Sequence, residues 1–299
     1  MWPGGRTKLV LVGGAGSRTG DAERTFALLV RYLVQRGGYD LARDVLEATY
    51  AGVGNDGGWQ PRPYVPADTR RPLLDSAEAV AGCLDWYRAR LPGGVRLCVI
   101  GYSLGGVVAF DGATLAVARD RPGWQGRLGA VVSIAAPMLG CNAGPFIQWA
   151  WLATAEPDGL GDAGRDLDLR WNDVEERERV QRRAAFLRAS GATVLTLADP
   201  DDAVVRPEEA VLPGPGQALE DLLVRTTRVR PGSLGHGAIL DDPEVWRRVL
   251  AAVGPQQPAV GEPDPAAADA IEQELQAIKN RLRAQGRIRP QPPSPRETA

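Results

Sequence analysis

Short apolar runs alternate with helical patterns along most of this chain of 299 residues. Residues 9–12 and 95–100 are examples of the runs, and residues 73–91 show the helical spacing that places apolar side chains on one face. Parallel strands need a crossover connection, usually a helix, and their sheets are buried on both faces. The alternation therefore predicts an α/β fold with a mostly parallel sheet of about six strands and helices on both faces.

The strands and helices of this fold have predicted positions along the chain. Strands are predicted over residues 9–12, 45–50, 95–100, 128–135, 194–197 and 222–229. Helices are predicted over residues 22–36, 73–91, 104–118, 173–189 and 243–253. Residues 137–170 interrupt the alternation because they look irregular and carry several aromatic side chains.

Two segments lie outside the regular alternation. We expect a short lid-like insertion over residues 137–190, because apolar insertions at the carboxyl end of a strand often shape a substrate pocket. An aromatic cluster packed beneath a long loop is an equal alternative. Residues 1–253 would form the main domain, and residues 254–299 a Pro-rich extension with one amphipathic helix over residues 265–285. That helix either packs on the domain, binds a partner or stays solvated.

Composition and charge argue against several classes of function. Lys and Arg number 35 against 37 Asp and Glu, so the net charge of −2 gives no general attraction to nucleic acid or anionic lipid. Three cysteines and one histidine do not supply a multi-His or paired-Cys metal site, and we expect neither a metal nor a cofactor. No apolar run approaches the roughly 20 residues of a membrane-spanning helix. We expect a soluble, cytoplasmic protein.

Residues 95–106 read VRLCVIGYSLGG and carry the strongest chemical signal. A predicted strand runs directly into Gly101-Tyr102-Ser103-Leu104-Gly105, and a predicted helix follows. This is the context of a nucleophile elbow, a tight turn that exposes a serine hydroxyl above the sheet. Side chains two positions before and after the serine would collide with neighbouring elements, so glycine is needed there. A simple helix N-cap would explain the serine but not both glycines.

A nucleophilic serine needs a base and an acid. The chain's one histidine, His236, lies in a Gly-rich loop between the last predicted strand and the last helix, and it follows the serine in chain order. Three acids follow the strand at residues 194–197. We favour Asp202, then Asp201, then Asp199, although each of these aspartates could simply cap a turn.

Backbone amides are expected to bind the oxyanion that forms during acyl attack. One donor would be the amide of Leu104, directly after the serine. The other would come from the Gly-rich loop after the first strand, with Ala15 as the first choice and Gly16 as the second. The residues expected to line the substrate site are Gly14, Gly16, Tyr102, Trp149 and Trp151.

Taken together, these residues resemble the serine hydrolases of the α/β-hydrolase superfamily over about residues 8–253. The compact lipase and esterase branch, including the inositol-deacylase-like lipases, is most similar, and residues 133–140 (SIAAPMLG) resemble the stretch that leads into its lid. The resemblance implies hydrolysis of a small ester or lipid-like substrate by Ser103, His236 and Asp202 through an acyl-enzyme. Relatives commonly have His-Gly where this chain has Gly13-Gly14. That histidine usually orders the oxyanion loop.

Other functions are also compatible with parts of the sequence. A thioesterase or acyltransferase would use the same triad, and a non-catalytic module of the same fold would bind a ligand or partner. Residues 13–20 (GGAGSRTG) resemble the phosphate loop of nucleotidyltransferases, but no lysine lies between Lys8 and Lys279 to serve it. The same residues nearly match a dinucleotide-binding fingerprint, in which Thr19 replaces the third glycine.

Overall fold

The computed structural model describes residues 6–52, 59–60, 62–141, 159–226 and 235–256. Within these residues five parallel strands form one sheet in the order β2-β1-β3-β4-β5. The strands are β1 (Thr7–Val12), β2 (Val45–Glu47), β3 (Arg96–Tyr102), β4 (Leu128–Ile134) and β5 (Thr193–Leu197). The predicted α/β class and parallel sheet are confirmed, with five strands in the described part instead of about six.

Ten α-helices lie within the described residues. They are α1 (Asp21–Thr25), α2 (Ala27–Gly37), α3 (Leu41–Asp44), α4 (Leu73–Arg90), α5 (Leu104–Arg119), α6 (Arg121–Trp124), α7 (Gly161–Asn172), α8 (Val174–Ala189), α9 (Pro207–Ala210) and α10 (Pro243–Val253). Short 3₁₀ turns occur at Pro66–Arg70, Glu220–Leu222 and Ala238–Asp241.

Helices cover both faces of the sheet, and the side chains of β3 show how. Leu97 and Val99 belong to the apolar core that includes α4 and α5, whereas Cys98 and Ile100 belong to the core that includes α2 and α10. All four side chains are fully buried. The period of two along a strand thus sends apolar groups to both faces. Packing on both faces therefore fixes β3, and the serine turn follows directly after its carboxyl end.

The predicted strand over residues 222–229 is wrong in its described part. A 3₁₀ turn at Glu220–Leu222 brings the chain to the sheet, where only Leu222 and Val224 hydrogen-bond to Ala198, through the Ala198 N–H (3.2 Å) and C=O (2.8 Å). The pairing at Leu223 is a single parallel bridge. Residues 227–229 lie outside the described residues.

Strand β2 is shorter than the predicted residues 45–50. Its last sheet hydrogen bond runs from the N–H of Ala48 to the C=O of Leu11 at 2.9 Å. The hydroxyl of Thr49 then accepts from the N–H of Ala51 at 3.0 Å, which turns the chain away from the sheet.

Two predictions about the positions of helices need correction. The helix expected over residues 22–36 is divided into α1 and α2 at Phe26, whose ring is buried. The segment 137–170, expected to be irregular, contains the start of α7, with Ala163, Leu167 and Arg170 buried. The helical pattern of α7 was not apparent in the sequence, because a charged residue, Arg170, occupies one of its inward-facing positions. It is neutralised there by Asp111 of α5, at 2.6 Å.

The described chain ends close to the start of β1. The side-chain oxygen of Gln256 accepts from the N–H of Thr7 at 3.0 Å, and the N–H of Gln256 donates to the C=O of Gly37 at 2.7 Å. The first residues of the predicted extension are therefore attached to the core. The helix predicted over residues 265–285 lies outside the described residues. In the described part of the chain, no helix is long and apolar enough to cross a membrane.

Candidate active site

Ser103 lies in a strained turn between β3 and α5. Its φ of 54° and ψ of −132° fall in a region that residues with side chains rarely adopt. The turn is held because the N–H of Ser103 donates to Ile134 at 2.9 Å and its C=O accepts from Gly106 at 2.9 Å. Ser103 is fully buried. Backbone hydrogen bonds on both sides of Ser103 therefore maintain its strained conformation.

Glycines flank this turn for a steric reason. A Cβ atom placed on Gly101 would overlap the backbone of Gly105, and one placed on Gly105 would overlap the carbonyl groups of Val12 and Gly13. Backbone atoms cannot rotate away as a side chain can. Both glycines are therefore required for the close approach of β1, β3 and the first turn of α5.

The structure brings Ser103, His236 and Asp202 into one hydrogen-bonded series. Nε2 of His236 lies 2.9 Å from Oγ of Ser103, and Nδ1 lies 2.6 Å from Oδ2 of Asp202. His236 is fully buried and Asp202 is 6% exposed. A carboxylate can only accept, so the proton of a neutral imidazole lies on Nδ1 and Nε2 is left to accept from the serine hydroxyl.

The three candidate acids have different surroundings. Asp202 also accepts from the N–H groups of Val204 at 2.8 Å and Val205 at 3.2 Å, so its orientation is fixed. Asp201 is exposed and forms an ion pair with Arg225, in which Oδ2 of Asp201 lies 3.4 Å from Nη1 of Arg225.

Asp199 is buried, but its carboxylate faces the turn and not the histidine. It accepts from the N–H of Asp201 at 3.0 Å and from the hydroxyl of Thr226. Of the three candidates, Asp202 is the one that contacts His236.

The two expected oxyanion donors lie on either side of the serine turn. Leu104 is the first residue of α5, where helix amides have no intrahelical acceptor. The N–H of Gly16 is already used, because it donates to Oγ1 of Thr69 at 3.0 Å. The N–H of Ala15 has no acceptor among the described residues. The geometry thus favours Ala15, the first choice, over Gly16.

Residues 13–16, called the oxyanion loop here because they are expected to supply an oxyanion donor, pack directly against the serine turn. A Cβ atom on Gly14 would lie 3.2 Å from the carbonyl oxygen of Tyr102 and 3.4 Å from Cβ of Ser103. Gly14, Gly16 and Tyr102 line a surface cavity of about 310 Å³ beside this loop. The ring of Tyr102 also lies 5.0 Å from that of His236. The other two residues expected to line the substrate site, Trp149 and Trp151, lie outside the described residues.

Some residues around the loop were missed by sequence reasoning. Ser17, Tyr50, Tyr64 and Thr69 form hydrogen bonds with the oxyanion loop or with one another. Ser17 directly follows the loop, whereas Tyr50, Tyr64 and Thr69 lie far from it in the sequence, and the return of the chain between β2 and α4 brings them to it. No motif could have found them. In the described residues, no group of three or more His, Cys, Asp or Glu side chains is placed to hold a metal ion.

Comparisons with known proteins agree with this architecture. No protein family matches the chain, and a search of curated proteins finds no significant match. Among solved structures, phospholipase PlaB from Legionella pneumophila, in complex with thio-NAD, is similar with a TM-score of 0.53 and 11% identity. The match covers 94% of this chain and 64% of PlaB, so the chain spans less than two thirds of PlaB.

Two further solved structures are similar at lower TM-scores. A lipase-esterase related protein from Clostridium acetobutylicum has a TM-score of 0.45 and 12% identity, and the match covers 82% of this chain and 94% of that one. The monoacylglycerol lipase of Paleococcus ferrophilus has a TM-score of 0.41 and 14% identity, with 92% and 97% covered. The sheet, the strand order and the likeness to PlaB show that the chain has the α/β-hydrolase fold.

Proposed function

We propose that this chain is a serine hydrolase that cleaves carboxylic esters through an acyl-enzyme. The observation that carries the proposal is the continuous contact from Ser103 to His236 to Asp202, at 2.9 and 2.6 Å, on a glycine-flanked strained turn. Capping or packing alone would not require an acid, an imidazole and a strained serine to meet in one buried place.

The proposed reaction uses each group at a stated atom. Oγ of Ser103 attacks the ester carbonyl carbon while Nε2 of His236 takes the hydroxyl proton. Asp202 holds the imidazole through Nδ1 and stabilises the cation that forms. The N–H groups of Leu104 and Ala15 stabilise the negative charge on the carbonyl oxygen. The C–O bond to the alcohol then breaks, and His236 gives the proton to the departing oxygen. In the second half of the reaction, Nε2 of His236 takes a proton from water while the water oxygen attacks the acyl carbon. The bond from that carbon to Oγ of Ser103 then breaks, His236 returns the proton to Oγ, and the carboxylic acid is released.

The proposed substrate is a small ester or a lipid-like ester. PlaB is described as a phospholipase, and the sequence of residues 137–190 begins with an apolar, Trp-containing stretch suited to acyl groups. We also propose that residues 1–253 form the catalytic domain, with residues 137–190 as its insertion and residues 254–299 as an appended segment. A cytoplasmic location remains a prediction from the low number of cysteines.

The test compares Ser103→Ala with Ser76→Ala on p-nitrophenyl esters of increasing acyl length. Ser76 is equally buried but lies on α4, so its substitution controls for the loss of a buried hydroxyl. We expect Ser103→Ala to lose at least about 1,000-fold in kcat with an unchanged circular dichroism spectrum. Ser76→Ala should keep its turnover. Undiminished activity in a folded Ser103→Ala protein would overturn the proposal.

A further inference from the structure

The oxyanion loop contains no side chain larger than a methyl group, since residues 13–16 read GGAG. Its shape therefore depends on what holds its backbone groups. The peptide unit is planar and trans, so the C=O of Gly14 and the N–H of Ala15 point in opposite directions within one rigid plane. Whatever fixes the carbonyl of Gly14 also fixes the amide of Ala15, the proposed oxyanion donor.

Two hydroxyl groups fix consecutive carbonyls of this loop. Oγ of Ser17 donates to the C=O of Gly14 at 2.6 Å, and the hydroxyl of Tyr50 donates to the C=O of Gly13 at 2.6 Å. The hydroxyl of Tyr64 lies 3.2 Å from Oγ of Ser17. Because the proton of Ser17 is directed to Gly14, Tyr64 donates to Ser17. The result is a hydrogen-bonded series from Tyr64 through Ser17 to the loop.

The surroundings keep these hydroxyl groups in place as donors. Tyr50 is fully buried and Tyr64 is 2% exposed, with their ring centroids 5.2 Å apart. Burial raises the pKa of both phenols well above the ordinary value. Both therefore remain protonated wherever a histidine base can work. Each buried ring has few alternative positions, so the direction of each donated bond is set by packing.

The same groups occupy the space of any side chain at position 13. A Cβ atom on Gly13 would lie 2.7 Å from Oγ of Ser17 and 3.2 Å from the hydroxyl of Tyr64. A histidine at position 13 would therefore require the hydroxyl of Ser17 to move away from its bond to Gly14. This links the glycine at position 13 to the hydroxyl groups that hold the loop.

We propose that Ser17, Tyr50 and Tyr64, here called the oxyanion brace, are positioning residues that hold the Ala15 amide toward the reacting carbonyl. In this proposal they take the part that the resemblance noted in the sequence assigns to a loop histidine. The inference rests on the proposed function, because an oxyanion donor matters only if Ser103 attacks a carbonyl. In this account the three residues act through the loop backbone, although Ser17 also lines the cavity beside the loop.

The experiment uses Ser17→Ala and Tyr50→Phe, each of which removes one hydroxyl. Tyr39→Phe is the matched control, because the buried hydroxyl of Tyr39 donates to the C=O of Gly254 at the same 2.6 Å but far from the loop. Two properties would be measured for each variant: steady-state kinetics on a p-nitrophenyl ester and, separately, the affinity for an arylboronic acid. A boronic acid forms a tetrahedral adduct on a nucleophilic serine and needs the oxyanion donors.

Removing one oxyanion donor costs about 10²- to 10³-fold in kcat, so loosening the donor should cost about 10- to 100-fold. We expect that loss in Ser17→Ala and Tyr50→Phe, with KM changed less than about threefold and boronate affinity weakened by a similar factor as kcat. Tyr39→Phe should keep kcat and boronate affinity within about twofold of the unsubstituted protein, even if its Tm falls as far as the Tm of Ser17→Ala or Tyr50→Phe.

Each other outcome has one meaning. If Ser17→Ala and Tyr50→Phe match Tyr39→Phe while Ser103→Ala is inactive, the oxyanion brace is wrong and the proposed function stands. If Ser103→Ala is active, the proposed function itself fails. Should Ser17→Ala not fold, Tyr64→Phe removes only the outer hydroxyl, and it must lower kcat and boronate affinity together; a loss of Tm alone would overturn the inference.

Discussion

Replacing Asp202 with asparagine changes the direction of one hydrogen bond while keeping the size of the side chain. Oδ1 of Asp202 accepts from the N–H groups of Val204 and Val205, and Oδ2 faces Nδ1 of His236 at 2.6 Å. An asparagine must keep its carbonyl oxygen toward the two backbone donors, because its NH₂ group would otherwise face them. The NH₂ group then points at Nδ1 of His236.

This orientation moves the imidazole proton. Nδ1 must accept from the new NH₂ group, so the proton lies on Nε2, which faces Oγ of Ser103 at 2.9 Å. Nε2 then has no lone pair for the serine proton. A wrong tautomer in such a triad lowers kcat by about 10⁴-fold, which is about 5.4 kcal/mol of activation free energy. We expect a loss of that order for Asp202→Asn with little change in KM.

The assay is ester turnover at neutral pH, with Tm measured on the same samples. Asp201→Asn is the nearest control, because Asp201 is exposed and does not contact His236. It should keep kcat within about twofold. Asp199→Asn should lower Tm, since Asp199 accepts two buried hydrogen bonds, but it leaves the tautomer of His236 unchanged. Retention of more than about a tenth of kcat by Asp202→Asn, or an equal loss in Asp201→Asn, would refute this reasoning.

Two further predictions concern packing and burial. Gly105→Ala would place a methyl group against the carbonyl groups at the end of β1, so calorimetry should show about 1–3 kcal/mol lower stability, with loss of ester turnover. Gly94→Ala is the control, because a Cβ atom there lies in open space, and it should change neither stability nor turnover. An active, stable Gly105→Ala protein would contradict the steric account. Burial raises the pKa of Cys83 and of Cys98 from 9.0 to about 12, so between these values the unfolded thiols release protons that the folded ones keep, and stability falls as pH rises. In urea unfolding, the free energy of unfolding should fall by about 1 kcal/mol per thiol from pH 9 to about pH 10. Cys83→Ala and Cys98→Ala should each reduce this pH dependence, and an unchanged dependence in both variants would contradict the prediction.

Sequence periodicity predicted the fold where apolar residues alone decide the structure. Strand β3 and helix α10 are examples, because every position of β3 is buried, as its apolar run indicates, and the buried positions of α10 follow the helical repeat. Periodicity failed at α7, where Arg170 faces inward and depends on a partner from another helix. It also failed after Leu222, where backbone geometry limits the pairing to a single bridge. Both errors come from long-range contacts that local patterns do not contain.

The candidate site was predictable to the extent that residue types limit the choices. One histidine and one glycine-flanked serine left few alternatives, so the sequence singled out His236 and Ser103. The choice among three nearby aspartates depended on which one faces the imidazole, and the structure places Asp202 there. The hydroxyl groups of the oxyanion brace had no sequence signal, because their common feature is a position around one loop.

The central claim is that the hydroxyl of Ser103 is an activated nucleophile. Fluorophosphonates react with such a serine and form a stable covalent adduct. Intact-mass spectrometry of the full chain should show one adduct, and peptide mapping should place it on Ser103, with no adduct in Ser103→Ala. An unlabelled protein, or an adduct at another residue in a protein that still hydrolyses esters, would contradict the claim.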